Sequence, residues 1–222
     1  GSASAGAYTY YLYRGGVSAA TQNNWYLRST TPETGNPPVD PIAPIPPTTA
    51  PDTPIYRSEV PVYGAIPSLA RELAVQQIGT FHDRLGGQPL LAEDGTLRAS
   101  WGRVWGDHLA QDLNGGVNPS FSGTIFGFQV GQDLYATSTA SGHRDHYGVF
   151  AGYARASGNV SGFALAVHDL AAGNLQMNAF SAGGYWTLIA PNGGYTDTVL
   201  MGTTSSVNPG SLQGNTASTR AN

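Results

Sequence analysis

From Thr124 to Tyr135 the chain alternates with a period of two. Thr124, Phe126, Phe128, Val130, Gln132 and Leu134 form one set, mostly apolar; Ile125, Gly127, Gln129, Gly131, Asp133 and Tyr135 form the other, mostly small or polar. A strand turns alternate side chains to opposite faces, so one face of this segment seeks an apolar surrounding. The other seeks water or close backbone contact. A buried strand of a soluble protein seldom carries Gly, Gln, Gly and Asp in register. A membrane barrel wall around a polar interior asks for that pattern.

The same reading extends along the C-terminal half. Residues 98–112, 123–136, 143–157, 160–170, 175–189 and 194–202 are predicted strands, each near or a little above the ~9–11 residues a tilted membrane strand needs. Tyr147, Val149, Ala151 and Tyr153 oppose Gly148, Phe150, Gly152 and Ala154; Phe163, Leu165 and Val167 oppose Gly162, Ala164, Ala166 and His168. Predicted turns fall at Asn114-Gly-Gly, Ser157-Gly-Asn, Ala172-Gly-Asn and Pro191-Asn-Gly-Gly. The first and last strands do not divide cleanly into faces. Trp101, Trp105 and Trp186 are candidates for an interfacial aromatic girdle.

Upstream the pattern changes three times. Ile66, Leu69, Ala70, Leu73, Gln77 and Thr80 fall at helical spacing, which predicts a helix from Pro67, suited to a first turn, to Arg84, ended by Gly86 and Gly87. Its length of ~27 Å matches the ~25 Å apolar band of an outer-membrane barrel. Before it, nine prolines between Pro32 and Pro54 predict an extended linker that joins neither sheet nor helix. At the N-terminus, Ala7–Tyr13 and Asn24–Arg28 read as two strands around a turn at Arg14-Gly-Gly-Val17. The division that follows is 1–29, 30–57, 58–87, 97–202, and a polar loop or disordered end at 203–222.

Composition narrows the classes. The chain has 222 residues, 11% charged, with 30 Gly and no Lys; that is glycine-rich and charge-poor for a soluble globule. A net charge of -4 leaves no basic footprint, so nucleic acid is not an expected partner. No run approaches the ~18 apolar residues of a membrane helix. With no Cys there is no disulfide, thiolate metal site or thiol nucleophile. The chain opens Gly-Ser-Ala-Ser with no charged-then-apolar leader, so an export signal is expected upstream.

The order of β-rich stub, Pro-rich linker, pore-length helix and alternating strands resembles the C-terminal part of type Va bacterial autotransporters of the pertactin-like kind. Gly6–Val17 with Asn24–Arg28 resembles the end of a passenger β-helix, the autochaperone region. Tyr56–Tyr63, Leu69–Leu73 and Phe81–Arg84 resemble the linker helix. Trp101–Gly106, Gly127–Leu134, Gly152–Ala156 and Gly183–Thr187 resemble barrel strands. The resemblance implies an all-β fold with one helix. It would comprise the end of a β-helix passenger, a Pro-rich linker, a pore helix, and about six antiparallel strands of a twelve-stranded outer-membrane β-barrel. It implies a translocator unit that exports its own passenger to the surface of a Gram-negative cell. Implied partners are outer-membrane lipid, the passenger, the barrel-assembly machinery and periplasmic chaperones.

No catalytic, cofactor-binding or metal-ligating residue is nominated, and no cofactor or enzymatic activity is expected. His82-Asp83 and His168-Asp169 are sequence neighbours, which in a strand point to opposite faces and cannot pair as base and orienter. His143 and His146 have opposite parity. Some autotransporters cut themselves at an Asn-Asn pair in the linker helix; this helix has no Asn, and Asn23-Asn24 lies in the stub, so the activity is not carried over. Asp133 and Glu72 are expected as lumen or helix polar groups that Arg103 and Arg71 could pair with. Two alternatives stand beside the translocator: a surface adhesin whose activity lies in the passenger, and a soluble all-β binding domain.

Overall fold

The computed structural model describes residues 2–15, 23–31, 53–80, 82–83, 98, 100–212 and 219–221. Two small sheets come first. Strands β1 (Ser2–Ala5), β2 (Tyr8–Arg14) and β3 (Trp25–Arg28) form an antiparallel sheet, and β4 (Thr30–Thr31) pairs with β5 (Thr53–Pro54). Helix α1 follows at Val60–Ile78. The remainder is one antiparallel meander of β6 (Ser100–Asp112), β7 (Ser120–Ser138), β8 (Arg144–Ala164), β9 (Val167–Ile189), β10 (Tyr195–Ser211) and β11 (Thr219–Ala221), each beside its sequence neighbour.

The sheet is two-faced because its sequence is. One face carries α1. Val62, Ala65, Leu69 and Leu73 recur at three- and four-residue spacing on the helix and pack on Phe121, Ile125, Ala154, Ala156, Leu175, Met177 and Val207. Each of those wall residues has the parity of the Ile125–Asp133 set or its counterpart on the next strand. The other face leaves large apolar side chains uncovered: Val104 is 71% exposed, Leu200 81%, and Phe126, Phe128, Val130 and Phe180 are all exposed. A continuous apolar surface of this kind is a liability in water; it is the surface that lipid covers.

That outer face is bounded by aromatic rows set by register. Phe128, Tyr153 and Phe180 are paired across β7, β8 and β9, with ring centroids 6.0 and 4.9 Å apart. Toward the Tyr195 end, Tyr135, Tyr147 and Trp186 are paired in the same way at 6.1 and 6.2 Å. From Phe126 to Tyr135, at ~3.3 Å per residue and a tilt of ~40°, the band is roughly 20–23 Å tall, close to the apolar band of an outer-membrane barrel. No helix among the described residues is long and apolar enough to cross a membrane.

Several expectations are corrected. The helix begins at Val60 and places Pro67 in its interior, on the exposed side, because Pro61 already occupies the first turn; it ends at Gly79, before the expected Arg84, and Gly86 and Gly87 lie outside the described residues. Ser157-Gly158-Asn159 is no turn: β8 runs through it to Ala164. Ala172-Gly173-Asn174 lies within β9, opposite a register shift at Val160/Ser161. The hairpin instead turns at Leu165-Ala166, both with positive φ (51° and 61°), a two-residue type I′ geometry reached without Asn or Gly. Thr203–Ser211 is strand, not loop, since Thr203, Ser205 and Val207 continue the helix-bearing face. The linker is mostly outside the described residues, but its Pro54 does join a sheet, in a two-residue ladder whose short edge tolerates the missing N–H.

Position within the band should set the cost of a charge. Val130→Arg, in mid-band, is expected to destabilise the intact protein in bilayers by about 2–4 kcal/mol, whereas Thr124→Arg, beyond the band's end at Phe126, should cost no more than about 1 kcal/mol. Equilibrium unfolding from phospholipid vesicles distinguishes the two.

Candidate functional site

A helix leaves its last four carbonyls without intrahelical partners, and a buried carbonyl without a donor is costly. The wall supplies the donors for α1. Arg103 on β6 donates from one guanidinium nitrogen to the carbonyl oxygens of Gln76 and Gln77, at 2.8 Å each. Gln129 on β7, fully buried, donates to Gln77 O at 2.9 Å and accepts from Arg103 Nε at 3.0 Å. Gln129 and Arg103 are register partners, so the ladder itself brings them together. The positive charge sits at the negative end of the helix dipole and over the Trp105 ring at 4.4 Å. Gly79 closes the helix with φ of +59°, and a β-carbon there would overlap the Arg103 guanidinium. Beyond it, the Thr80 backbone N–H and hydroxyl, each 2.8 Å from Asp83 Oδ2, hold the Asp83 carboxyl below its ordinary range, with the nearby Arg103 acting in the same direction.

The glycines of the β7 pattern find their reason here. A β-carbon at Gly127 would collide with the ring of Trp105, and one at Gly131 with the ring of Trp101, each its direct register partner. Both tryptophans therefore lie flat across β7 on the helix-bearing face, not in the girdle expected of them. Trp186, on the outer face, is a girdle residue.

Past the helix end the same face becomes polar. Trp101 Nε1 donates to Tyr185 Oη (2.9 Å), Tyr185 donates to Asp133 Oδ1 (2.5 Å), and His146 Nδ1 lies 2.9 Å from Asp133 Oδ2. Four successive strands contribute one residue each. Asp133, 3% exposed, keeps the inward parity of β7, and the register shift between Asp133 and Tyr135 turns Tyr135 to the outer face. Sequence parity ruled out neighbouring His-Asp pairs but could not see a pair across two strands. Among the other nominated residues, Glu72 accepts from Gln76 (3.0 Å) and Arg71 is exposed. Among the described residues no three His, Asp or Glu side chains come together as a metal site.

At the opposite end the wall meets the stub. Tyr56 O accepts from the N–H of Leu165 at the hairpin turn (2.8 Å), and the Tyr56 ring stacks on Tyr8 (5.3 Å) and edges onto Phe163 (6.1 Å). Ile55, fully buried, accepts from Thr9 and donates to Ser29, while Arg57 donates to Ala7. Residues 55–57 thus bond to β2 on one side and to the β8–β9 hairpin on the other, three residues ahead of α1.

If Arg103 is the cap of the helix, Arg103→Ala removes charge-assisted bonds worth about 1.5–3 kcal/mol. In the intact protein, amide exchange at residues 77–80 should then accelerate roughly tenfold or more, with Arg103→Lys intermediate because it lacks the fork geometry. Unchanged protection in Arg103→Ala would reject the cap.

The profile of the autotransporter β-domain matches residues 100–222. The chain is 30% identical over 212 residues (89% of its length) to the adhesin BmaC autotransporter of Brucella suis biovar 1 (strain 1330), covering 6% of that protein. It is 33% identical over 166 residues (72% of its length) to the uncharacterized protein YdeU of Escherichia coli (strain K12), covering 34% of it. No solved structure matches it. A two-faced wall with an apolar outer band, a helix seated on its inner face and these similarities together make the chain a member of the autotransporter family, a piece of the type V secretion unit that resides in the Gram-negative outer membrane.

Proposed function

We propose that this chain belongs to the machinery by which an autotransporter exports its own N-terminal passenger. The observation that carries the reading is continuity. The stub sheet, the 55–57 segment, α1 and the wall form one bonded path, in which α1 is held at both ends by the wall. The work is physical. The wall provides a route through lipid, and folding of the emerging chain outside biases movement outward. The β1–β3 sheet is the template on which that folding begins, since Tyr8, Leu12, Trp25 and Leu27 leave an apolar face for further chain to cover.

On this reading residues 1–29 close the passenger, 30–57 link it to the helix, and the wall from residue 100 is the translocator, with no enzymatic step. Among the described residues β6 has a strand partner on one side alone, and unpaired backbone groups are costly in lipid, so a working barrel requires pairing of that edge. The uncovered aromatic rows call for periplasmic chaperones in transit and for the barrel-assembly machinery at insertion. A second reading, that the whole protein is an adhesin, takes its support from the name of the Brucella suis relative; adhesion would then reside upstream of the stub.

The test is deletion of residues 7–28 in the complete protein. The barrel should still insert, judged by heat-modifiable mobility, while the surface passenger becomes sensitive to external protease. A passenger that stays protease-resistant without residues 7–28 would refute the templating role.

A further inference from the structure

On β8 and β9 the outer face changes character within one rung of the ladder, while Phe126 of β7 keeps that rung apolar at its other end. Immediately beyond the Phe128–Tyr153–Phe180 row, β8 and β9 present Arg155 and Asn178, register partners, with Asn178 accepting from Tyr153 Oη (2.8 Å). The next rung outward is Ser157, Gln176 and Asn208, and the one after is Ser122, Asn159 and Asn174. All but Gln176 in those two rungs are exposed. Among the described residues, none of these six side chains, nor that of Arg155, spends its donors or acceptors within the protein. Strands β7 to β10 are 17 to 23 residues long, far more than the ~9–11 that crossing requires, and the surplus lies on this side. Around Asn159 and Asn174 the register shift at Val160/Ser161 opens a groove of about 390 Å³ lined by Ser120, Ser122, Ser161 and Gly173, within the size range of small-molecule sites.

We propose that this face binds the phosphorylated saccharide headgroup of an outer-leaflet glycolipid, with its acyl chains on the aromatic band below. The occupant follows from continuity: the polar rungs rise directly from the lipid-facing band, so whatever covers them is joined to whatever covers the band. A phospholipid headgroup would reach the first rung alone, whereas a saccharide headgroup reaches all three. Arg155 stands where acyl chains end and suits an anionic phosphate, in the rung that Asn178 and Ser206 carry on to Arg220 of β11; above it, amides and hydroxyls without charge suit sugar hydroxyls, which both donate and accept. Tyr153 and Phe180 beneath offer ring faces to the sugar nearest the bilayer.

The test uses the full-length protein purified in detergent, with native mass spectrometry to count retained lipid. The probes are rough lipopolysaccharide, its core-free acylated phosphodisaccharide, and phosphatidylethanolamine. Both glycolipids should be retained and the phospholipid not. Arg155→Ala should lower retention of both glycolipids about tenfold. The double change Asn159→Ala with Asn174→Ala should lower retention of the core-bearing form alone. All three positions face outward, and heat-modifiable mobility checks that each variant is folded. Equal retention of phosphatidylethanolamine, equal retention by wild type and variants, or comparable binding of the free core oligosaccharide without acyl chains would overturn the proposal. These outcomes are separate from the export reading, because passenger exposure is not measured.

Discussion

The constraint on which the rest of the structure hangs is the satisfaction of the carbonyls at the end of α1. They lie against a wall rather than in water, so the wall must donate to them. That demand fixes Arg103 on the helix-bearing face of β6. Because strand side chains alternate, it also fixes Trp101 and Trp105 on the same face. Two indoles projecting inward from an outermost strand need somewhere to lie, and the register gives each a glycine of β7. Between those glycines stands Gln129, opposite Arg103, which completes the cap. The alternation Gly127, Gln129, Gly131 is therefore the complement of Trp105, Arg103, Trp101, strand against strand.

The same logic explains why one side of the wall is not uniformly polar. A wet lumen along the whole helix was the expectation, since Gly, Gln and Asp dominate the inward parity of β7 at its centre. Toward Val60, however, inward positions are Phe121, Ile125, Val160, Leu175 and Val207, closed over by Val62, Ala65, Leu69 and Leu73. Burying several such side chains at roughly 1.5–3 kcal/mol each holds the helix to the wall. The polar chain from Trp101 through Tyr185 and Asp133 to His146 begins only where the helix stops. The plug is dry where it must grip and polar beyond its tip, with Arg103 and Gln129 at the boundary.

Much of this was legible in the sequence for a simple reason: lipid on one side and a packed helix on the other make each strand report its two faces separately. Phe126, Phe128 and Val130 announced the outer face, and the helix period announced Leu69, Leu73 and Gln77. What escaped was whatever depended on a partner contributed by another strand. His146 meets Asp133 only through the register of β7 and β8, shifted at Asp133/Tyr135. The faces of β6 stayed ambiguous because Trp and Arg look equally at home at a girdle or against a helix; only the glycines opposite decide. Glycine also misled. Gly158 and Gly173 resemble turn residues, yet in Gly158 a β-carbon would strike the backbone of Ser122, and in Gly173 that of Gly210. They are required by close strand approach, not by reversal of the chain.

The true reversal, at Leu165-Ala166, breaks the local rule most plainly. Two L-residues at positive φ cost on the order of 1–2 kcal/mol each, where Asn-Gly would cost little. Such strain persists only where the surroundings over-determine it, and here they do. The turn places the Leu165 N–H on Tyr56 O while Ala166 is buried, and it is flanked by Phe163, whose ring meets that of Tyr56 edge-on and lies 4.8 Å from that of His168. A more permissive turn would form more easily alone but would present less surface to the segment that enters the helix. The strained pair and the capped helix end thus serve one geometric purpose. They set the axial position of α1 from opposite ends, so that the Val62–Leu73 face meets the Ile125–Leu175 surface in a single register.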